Sequence, residues 1–528
     1  MLMAAEKTER GRILWADDEI DLLKPHILFL EEQGYEVTPV HSGEDALHEV
    51  GAGDFNLVLL DEMMDGMDGM HTLQEIKTTH PALPIIMITK NEEEWLMDEA
   101  IAANISGYLT KPVNPSQIFM LCKSMLEQTR IRSDKTTSRY LAVFQELSQR
   151  VETAASLEDW IALFNELTDW DIEFDQHRDL GLDDLLAEQH LTANLRFGQA
   201  VVASYRDWLN GDGLTGQTFS HQVLDRSVRP HLQAGTRVVL LVVDCLRLDQ
   251  WKAMRPLLEP RFSVEETVQL SLLPTATPYS RNAIFSGLLP DELARRYPKQ
   301  WGEMTHDETS MNRFEAEFLQ EYLKRVKLDE VQFKYFKVVT AEEGQRVLAR
   351  LPEYRSKQLL ALVVNFVDLL AHHRAESDVI KEILPDESGY RATICSWLEK
   401  SWLRELLDTV ADWEDTVVVL TSDHGSIQVD KPVRILADRQ TSSGVRYKHG
   451  RNLNASEKGG LTIKHPAEYH LPADEVTTNY VIARDRNFFV YPTDYHRFVR
   501  RFEGSFQHGG ISLEEMVVPL VTLRPRNI

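Results

Sequence analysis

Seven side chains from residue 244 onward could do hydrolytic chemistry together, and each lies at or just past an apolar run. They are Asp244 in VVDC, Thr277 in PTATPYSRNAIFSG, Asp368 and His372 in VDLLAHH, Asp423 and His424 in TSDHG, and His508 in FQHGG. Asp and His are the ligands zinc accepts besides Cys, and two metals roughly 3.5 to 4 Å apart can hold both the attacking and the leaving oxygen of a phosphoryl displacement. The set divides into two sites. Around Thr277 the hydroxyls of Thr275, Ser280 and Ser286 crowd one turn and helix. A helix start leaves backbone N–H groups unpaired, so a phosphate can sit there within reach of a hydroxyl; an ordinary helix cap is the other reading. Near the N-terminus Asp17, Asp18, Asp61, Thr89 and Lys111 also follow apolar runs. Adjacent carboxylates suit a hard cation such as Mg²⁺, and Asp61 could then accept a phosphoryl group as an acyl phosphate whose charge the metal and Lys111 neutralise.

These groups need strands to carry them. In the first part of the chain RILWAD, EVTPV, NLVLLD, LPIIMIT and SGYLT alternate with helical-period segments, which predicts a flavodoxin-like, doubly wound, five-stranded parallel sheet with its ligands at the strand carboxyl ends. From about 115 to 230 the pattern is helical, with Leu, Phe, Trp and Ile stripes suited to packing. Strand-like runs then return as RVVLLVVDC, VEETVQLSLL, LLALVVNFVD, TVVVLTSDHG, NFFVYP and MVVPLVTL. The expected organisation is an α/β domain over 1–128, a helical connector bundle over 129–222 that ends near the glycines of NGDGLTGQTFS, and a second α/β domain over 223–528.

The ordered motifs ADDE, LLDEMMDGMDG, MITK and GYLTKP resemble response-regulator receiver domains. The resemblance implies that Asp61 is the phosphoacceptor, that Asp17, Asp18 and the Met63 carbonyl hold Mg²⁺ with it, and that Thr89, the helix from Glu92 and Tyr108 form the switch face, with Lys111 ahead of a Pro112 bond that is often cis. The set VDCLR, PTATPYSRNAIFSG, DLLAHH, TSDHG and QHGG resembles the alkaline phosphatase superfamily, and within it the PglZ-type domain. That implies two Zn²⁺ sites, Asp244, Thr277, Asp423 and His424 at one and Asp368, His372 and His508 at the other, with Thr277 as nucleophile. His372 is preferred to His373 because the DxxxH spacing puts both side chains on one helical face.

The segment at Thr277 also aligns with the PTxTxPNH pattern of nucleotide pyrophosphatase/phosphodiesterases, whose Asn and His are here Ser280 and Arg281. Arg247 and Arg281 could hold phosphate oxygens bidentately or form surface ion pairs. RYKHGRNLNASEKGG, residues 446–460 with Arg446, Lys448, His449 and Arg451, reads either as an anion-gripping lid or as a solvated loop.

The whole chain is similar to PorX-type response regulators. That resemblance implies a sensor histidine kinase as phosphodonor, contact with an extracytoplasmic-function sigma factor, phosphorylation-promoted homodimers, a zinc phosphodiesterase acting on cyclic or short nucleotide linkages, and a role in type IX secretion. The alternative is a phosphorylation-controlled scaffold whose zinc site is structural or vestigial.

Bulk properties limit the rest. With 57 basic against 83 acidic residues the net charge is −26, which works against duplex DNA binding. A hydrophobic content of 43% without a membrane-length apolar run, and a polar start with no secretory signal, give the expectation of a cytoplasmic protein without a bilayer span. Three cysteines cannot build a disulfide framework, so core thiols are expected.

Overall fold

The computed structural model describes residues 11–90, 105–176, 182–211, 216–306, 312–374, 377–436, 444–451, 453–455, 459–473, 475, 477–492 and 495–526. The expected switch helix from Glu92 falls outside them. The chain divides into two compact units, residues 1–141 and 142–528.

In the first unit, β1 (Arg12–Ala16), β2 (Glu36–Val40), β3 (Leu57–Asp61), β4 (Ile85–Thr89) and β5 (Gly107–Thr110) form an all-parallel sheet in the order β2-β1-β3-β4-β5. Both faces of its central strands are apolar. Ile13, Trp15, Leu57 and Leu59 pack beneath the helix Lys24–Glu32 and the start of the helix Pro115–Thr153. Leu14, Ala16, Val58 and Leu60 pack beneath the helices Gly43–Ala52 and Gly69–Thr79. Strand order reverses between β1 and β3, which opens a crevice at their carboxyl ends. The Lys111–Pro112 bond is cis.

The helix Pro115–Thr153 runs unbroken past the expected boundary at 128. In the second unit its end packs with the helices Leu157–Asp175 and Asp183–Leu209. The former starts at a capping box in which Ser156 and Asp159 satisfy each other's backbone N–H groups. These helices dock onto the following domain through Arg391–Asp175, Lys252–Asp169 and the Tyr205 hydroxyl, which accepts from Leu273 N–H at 3.0 Å.

That domain is built on seven strands: β6 (Thr218–Phe219), β7 (Arg237–Val243), β8 (Phe262–Leu270), β9 (Phe333–Val338), β10 (Leu359–Val364), β11 (Thr416–Thr421) and, last in the chain, β20 (Val517–Pro525). Their order is β6-β8-β20-β11-β7-β10-β9, and only β20 runs antiparallel to its neighbours β8 and β11. Runs such as LLALVV and TVVVLT are buried at every position because helices cover both faces of these central strands. Between β11 and β20 lie short strands: β12 (Ile427–Gln428), β13 (Lys431–Leu436), β14 (Tyr447–Arg451), β15 (Asn454–Ala455), β16 (Gly460–Ile463), β17 (Thr478–Ala483), β18 (Asn487–Val490) and β19 (Phe506–Gln507).

Sequence reading missed β9, whose FKYFKV alternates charge with aromatics because it is the sheet edge. Cys122 and Cys245 are buried, Cys395 is half-buried, and all three thiols are free. Among the described residues no helix is long and apolar enough to cross a membrane.

Candidate active site

The seven polar groups meet at the carboxyl ends of the central strands. Asp244 follows β7 directly, and its N–H bonds to Val364 O of the neighbouring β10 at 2.9 Å. The next residue, Cys245, takes a left-handed conformation, φ 67°, which costs a non-glycine residue energy. The turn it makes aims two N–H groups at the loop after β11: Cys245 N donates to Asp423 Oδ1 at 3.2 Å and Leu246 N to Ser422 Oγ at 2.9 Å. Asp368 and His372 stand one turn apart on the helix Phe366–Arg374 that follows β10, and His508 follows β19. Thr277 opens the helix Thr277–Ser286, which ends on the left-handed Gly287.

Two groups of possible metal donors result, Asp244, Asp423 and His424 in one and Asp368, His372 and His508 in the other, each with ligand atoms within 4.8 Å of one another. His424 and His508 join them, with rings stacked at 4.1 Å between centroids. Thr277 Oγ1 lies 3.0 Å from His424 Nε2. The Nδ1 of His424 faces Gly425 O at 3.1 Å, so the ring proton belongs there and the Nε2 lone pair points at Thr277 and the carboxylates.

The carboxylates test whether the pocket fits cations. Asp244 Oδ2 accepts from Arg281 at 2.5 Å and from Asn365 at 2.6 Å, and Asp423 Oδ1 accepts from two backbone N–H groups. The other oxygens, Asp244 Oδ1 and Asp423 Oδ2, are buried and accept no hydrogen bond, while Asp368 Oδ1 faces the imidazoles of His372 at 3.4 Å and His508 at 3.7 Å. Orphan buried acceptors are rare, and two beside a third carboxylate suit positive ions.

Electrostatics agree. Burial, followed by the neighbouring Asp423, pushes Asp244 well above the ordinary carboxylate range despite Arg281. Burial also raises Asp423, against Arg281. Burial lowers His424, and burial followed by His424 lowers His508, so both imidazoles are neutral and able to donate a lone pair. Asp368 goes the other way: burial opposes ionisation, but the hydrogen bond and charge of His372, 3.4 Å from its Oδ1, outweigh it. Carboxylates this close stay ionised together only with a cation among them.

The receiver crevice holds Asp17, Asp18 and Asp61, again with oxygens within 4.8 Å. Lys111 Nζ bridges Asp17 at 2.8 Å and Asp61 at 2.9 Å. Burial raises the Asp61 pKa, with Asp17 and Asp18 adding to it and Lys111 opposing. Those two bonds keep Lys111 protonated against its own burial. The Thr89 hydroxyl donates to Glu62, Tyr108 is 44% exposed, and the Met63 side chain faces solvent.

Three family profiles match the chain: the BREX system PglZ alkaline phosphatase-like domain over residues 223–523, the response regulator receiver domain over 13–123, and the PorX response regulator linker domain over 130–209. The first covers more than half of the chain. The chain belongs to the PglZ family. With the receiver and linker ahead of it, it is a PorX-type response regulator, which fits two-component signalling, and its PglZ domain points to a hydrolase of the alkaline phosphatase superfamily.

Curated relatives match over a shorter length. The transcriptional regulatory protein ResD of Bacillus subtilis is 30% identical over 146 residues, 27% of this chain and 60% of its own length. ZraR of Salmonella typhimurium is 35% identical over 137 residues, 26% of this chain and 31% of its own. Among solved structures, the response regulator TrrA from Thermotoga maritima is 30% identical over 22% of this chain and 98% of its own, with a TM-score of 0.21.

The PglZ site corrects the expected anion-binding residues. Arg281 is sealed between Asp244 and Glu315, so it holds a carboxylate of the cluster and has no face toward a substrate. Arg247 is spent on Asp249, Glu387 and the Ser426 carbonyl. Ser280 is fully buried, bonded to Ser271 and the Leu272 carbonyl. Arg446 is fully buried against Glu515 and the carbonyls of Asp485 and Asn487. The supposed lid is largely sheet, because β14 pairs with β17 throughout its length. On it Lys448 lies over the Tyr491 ring, His449 stacks on Tyr480, and Arg451 pairs with Glu475. His373 turns back to the Leu369 carbonyl, whereas His372 Nε2 lies 3.4 Å from Asp368 Oδ1.

Several supporting roles escaped sequence reading, that of Thr275 among them although its hydroxyl was noted. Thr275 Oγ1 donates to Gly510 O at 2.7 Å and accepts from Gly509 N, bracing the loop behind His508. Asn312 holds the Thr277 carbonyl at 3.2 Å. In the receiver a Cβ on Gly69 would stand 2.2 Å from Asp61 O, so glycine is required for that approach. Its only sequence signal was the DGMDG run itself.

Proposed function

We propose that this chain is a response regulator phosphorylated on Asp61 by a sensor histidine kinase, and that its PglZ domain hydrolyses nucleotide phosphodiesters with Thr277 as nucleophile. One observation carries the hydrolytic reading: buried carboxylate oxygens of Asp244 and Asp423 that accept no hydrogen bond converge with Asp368 beside the half-buried Thr277, whose hydroxyl lies 3.0 Å from His424 Nε2. Asp244, Asp423, His424 and Thr277 would hold one zinc ion, and Asp368, His372 and His508 the other. Bound there, two zinc ions would supply positive charge that lowers the proton affinity of the Thr277 hydroxyl and neutralises the phosphoryl oxygens.

The chain's own residues then act in order. The start of the helix Thr277–Ser286 and the Asn312 bond to the Thr277 carbonyl fix the hydroxyl's direction. Thr277 Oγ1 forms a bond to phosphorus as the bond to the leaving nucleoside oxygen breaks and the hydroxyl proton passes to that oxygen, giving a threonine-linked nucleotidyl diester; water then attacks the phosphorus, the Oγ1–P bond breaks, and Thr277 and a phosphomonoester are released. Resemblance to the superfamily supports nucleotide diesters, cyclic or short oligonucleotide, as the substrate class. In the receiver, Asp17, Asp18 and Asp61 with the Met63 carbonyl would hold Mg²⁺, and Lys111 would take the charge of the acyl phosphate. Family resemblance also supports homodimerisation on phosphorylation, contact with an extracytoplasmic-function sigma factor and a role in type IX secretion.

The test is hydrolysis of bis-p-nitrophenyl phosphate with Zn²⁺ by the intact protein and by Thr277→Ala. Loss of at least about 10³-fold is expected with zinc content unchanged; equal rates end the idea. If Thr277→Ala leaves signalling intact while Asp61→Ala abolishes it, the scaffold reading takes its place.

A further inference from the structure

Asn194, on the helix Asp183–Leu209 and 2% exposed, binds a segment over 300 residues further along the chain. Its Nδ2 donates to both carboxylate oxygens of Glu514, at 2.9 and 3.0 Å, and its Oδ1 accepts from Leu513 N at 2.8 Å. This pattern needs a donor and an acceptor on one short planar group, which Asn supplies and Asp, Ser or Leu does not.

The segment it grips supports both histidine-bearing loops. Glu515 Oε1 accepts from Gly510 N at 2.8 Å, and Glu515 also pairs with Arg446, whose guanidinium fills the place of a Gly510 Cβ. Gly510 in turn is bonded by Thr275, whose carbonyl faces His508 Nδ1 at 3.4 Å. On the other side, Gly425 N donates to Glu515 O at 3.1 Å, and a Cβ on Gly425 would stand 1.9 Å from Glu514 O. Gly425 O is the group that orients His424 Nδ1. The His424 and His508 loops therefore rest on one short turn, and Asn194 clamps that turn.

The same helix is held from its other side. Gln189 Nε2 donates to Phe144 O and Ser148 Oγ, both at 3.0 Å, on the helix Pro115–Thr153, and Arg196 pairs with Glu152. Close-packed elements joined by buried hydrogen bonds transmit displacement rather than absorb it.

We infer that Asn194 is a positioning residue for the hydrolytic site, and that the helix Asp183–Leu209 lets the linker set the placement of His424 and His508. The inference rests on the phosphodiesterase reading for its consequence, but not for its first readout.

The test uses the full-length protein, Asn194→Asp, which sets a carboxylate against Glu514, and the double variant Asn194→Asp with Glu514→Gln, which restores a donor between the two side chains. In metal-free protein, Asn194→Asp is expected to raise amide hydrogen exchange in segments 422–426 and 505–516 together. With zinc, its dissociation constant should rise about 10- to 100-fold in competition with a chelator, and kcat should fall more than KM changes. The double variant should recover most of each effect. Should Asn194→Asp not fold, Asn194→Ser, whose hydroxyl cannot span both Glu514 oxygens, carries the same expectation. Unchanged exchange in either segment, or no recovery in the double variant, overturns the inference. If exchange and zinc affinity follow the pattern while the wild type hydrolyses nothing, the positioning role stands and the phosphodiesterase reading falls.

Discussion

Arg281 Nη1 lies 2.5 Å from Asp244 Oδ2 while its Nε lies 2.6 Å from Glu315 Oε1, with all three side chains at or below 1% exposure. A cation so enclosed is part of the frame of the site. It holds one Asp244 oxygen and leaves the other bare, and it offsets some of the repulsion between Asp244 and Asp423.

Removing that cation leaves buried carboxylates without their partner. Arg281→Met should therefore cost about 3 to 5 kcal/mol of stability, and Arg281→Lys should recover only part because one ammonium cannot span both acids. Urea unfolding with and without zinc measures it, the zinc-loaded variant losing less. A loss within about 1 kcal/mol of wild type would mean the ion pair is not structural.

With Arg247, Arg281 and Arg446 all committed to carboxylates, a side-chain cation that adds to the charge of bound metal on an entering phosphate has to be a different one. Lys337 meets the requirement: it forms no hydrogen bond or ion pair among the described residues. It lies near the carboxyl end of β9, paired in register with Val363 and two positions beyond Tyr335, whose hydroxyl bonds Glu315. Lys337 is exposed at the strand surface, yet partial desolvation of its ammonium, followed by the charge of Arg281, holds it below the ordinary lysine value. Lys337→Met should raise KM for bis-p-nitrophenyl phosphate about tenfold with kcat nearly unchanged, and Lys337→Arg should restore it. Steady-state kinetics decide, and an unchanged KM removes Lys337 from the substrate's path.

How far this site was legible in the sequence depended on how local each interaction is. Asp244 directly follows a run buried at all but its first position, and Asp423 and His424 follow, with one residue between, a run buried throughout, so strand pattern and ligand chemistry could be read together. Arg281 and Arg446 were misread because their partners are remote, Glu315 34 residues away and Glu515 69 away, and Arg247 because only one of its two acids, Asp249, is near while Glu387 lies 140 away. No periodicity encodes such pairs. Residues 447–451 looked like loop because an antiparallel partner, β17, decides their state and lies beyond any local window.

Glycines in helices of the receiver give a paired prediction of opposite sign. Gly51, in the helix Gly43–Ala52, has nothing within 4 Å of a built Cβ, so Gly51→Ala should stabilise by about 0.5 to 1 kcal/mol through helix propensity. Gly69 opens the helix Gly69–Thr79 with Asp61 O 2.2 Å from the same added atom, so Gly69→Ala must displace the phosphoacceptor turn and should destabilise by about 1 to 3 kcal/mol. Thermal melts give the signs. Mass spectrometry after incubation with acetyl phosphate should show Gly69→Ala phosphorylated severalfold more slowly and Gly51→Ala unaffected.

His190 supplies the pH dependence. On the helix that carries Asn194, its Nε2 lies 3.1 Å from Asp171 and its Nδ1 3.9 Å from Glu514. Burial opposes its charge, but Asp171, Glu514 and Glu387 outweigh burial and raise its pKa to about 9. A group with a raised folded pKa stabilises fully below its unfolded value near 6.5 and loses that contribution as pH climbs through about 9. The amount is on the order of 3 kcal/mol, so unfolding midpoints of the wild type should fall between pH 7 and 10, and most of that fall should vanish in His190→Gln. Zinc-free protein is the sample of choice, because titration of the metal ligands is then the same in both proteins and cancels in the comparison. Parallel slopes for wild type and variant would show that His190 is neutral in the folded chain and that Asp171 holds it only as a hydrogen-bond partner.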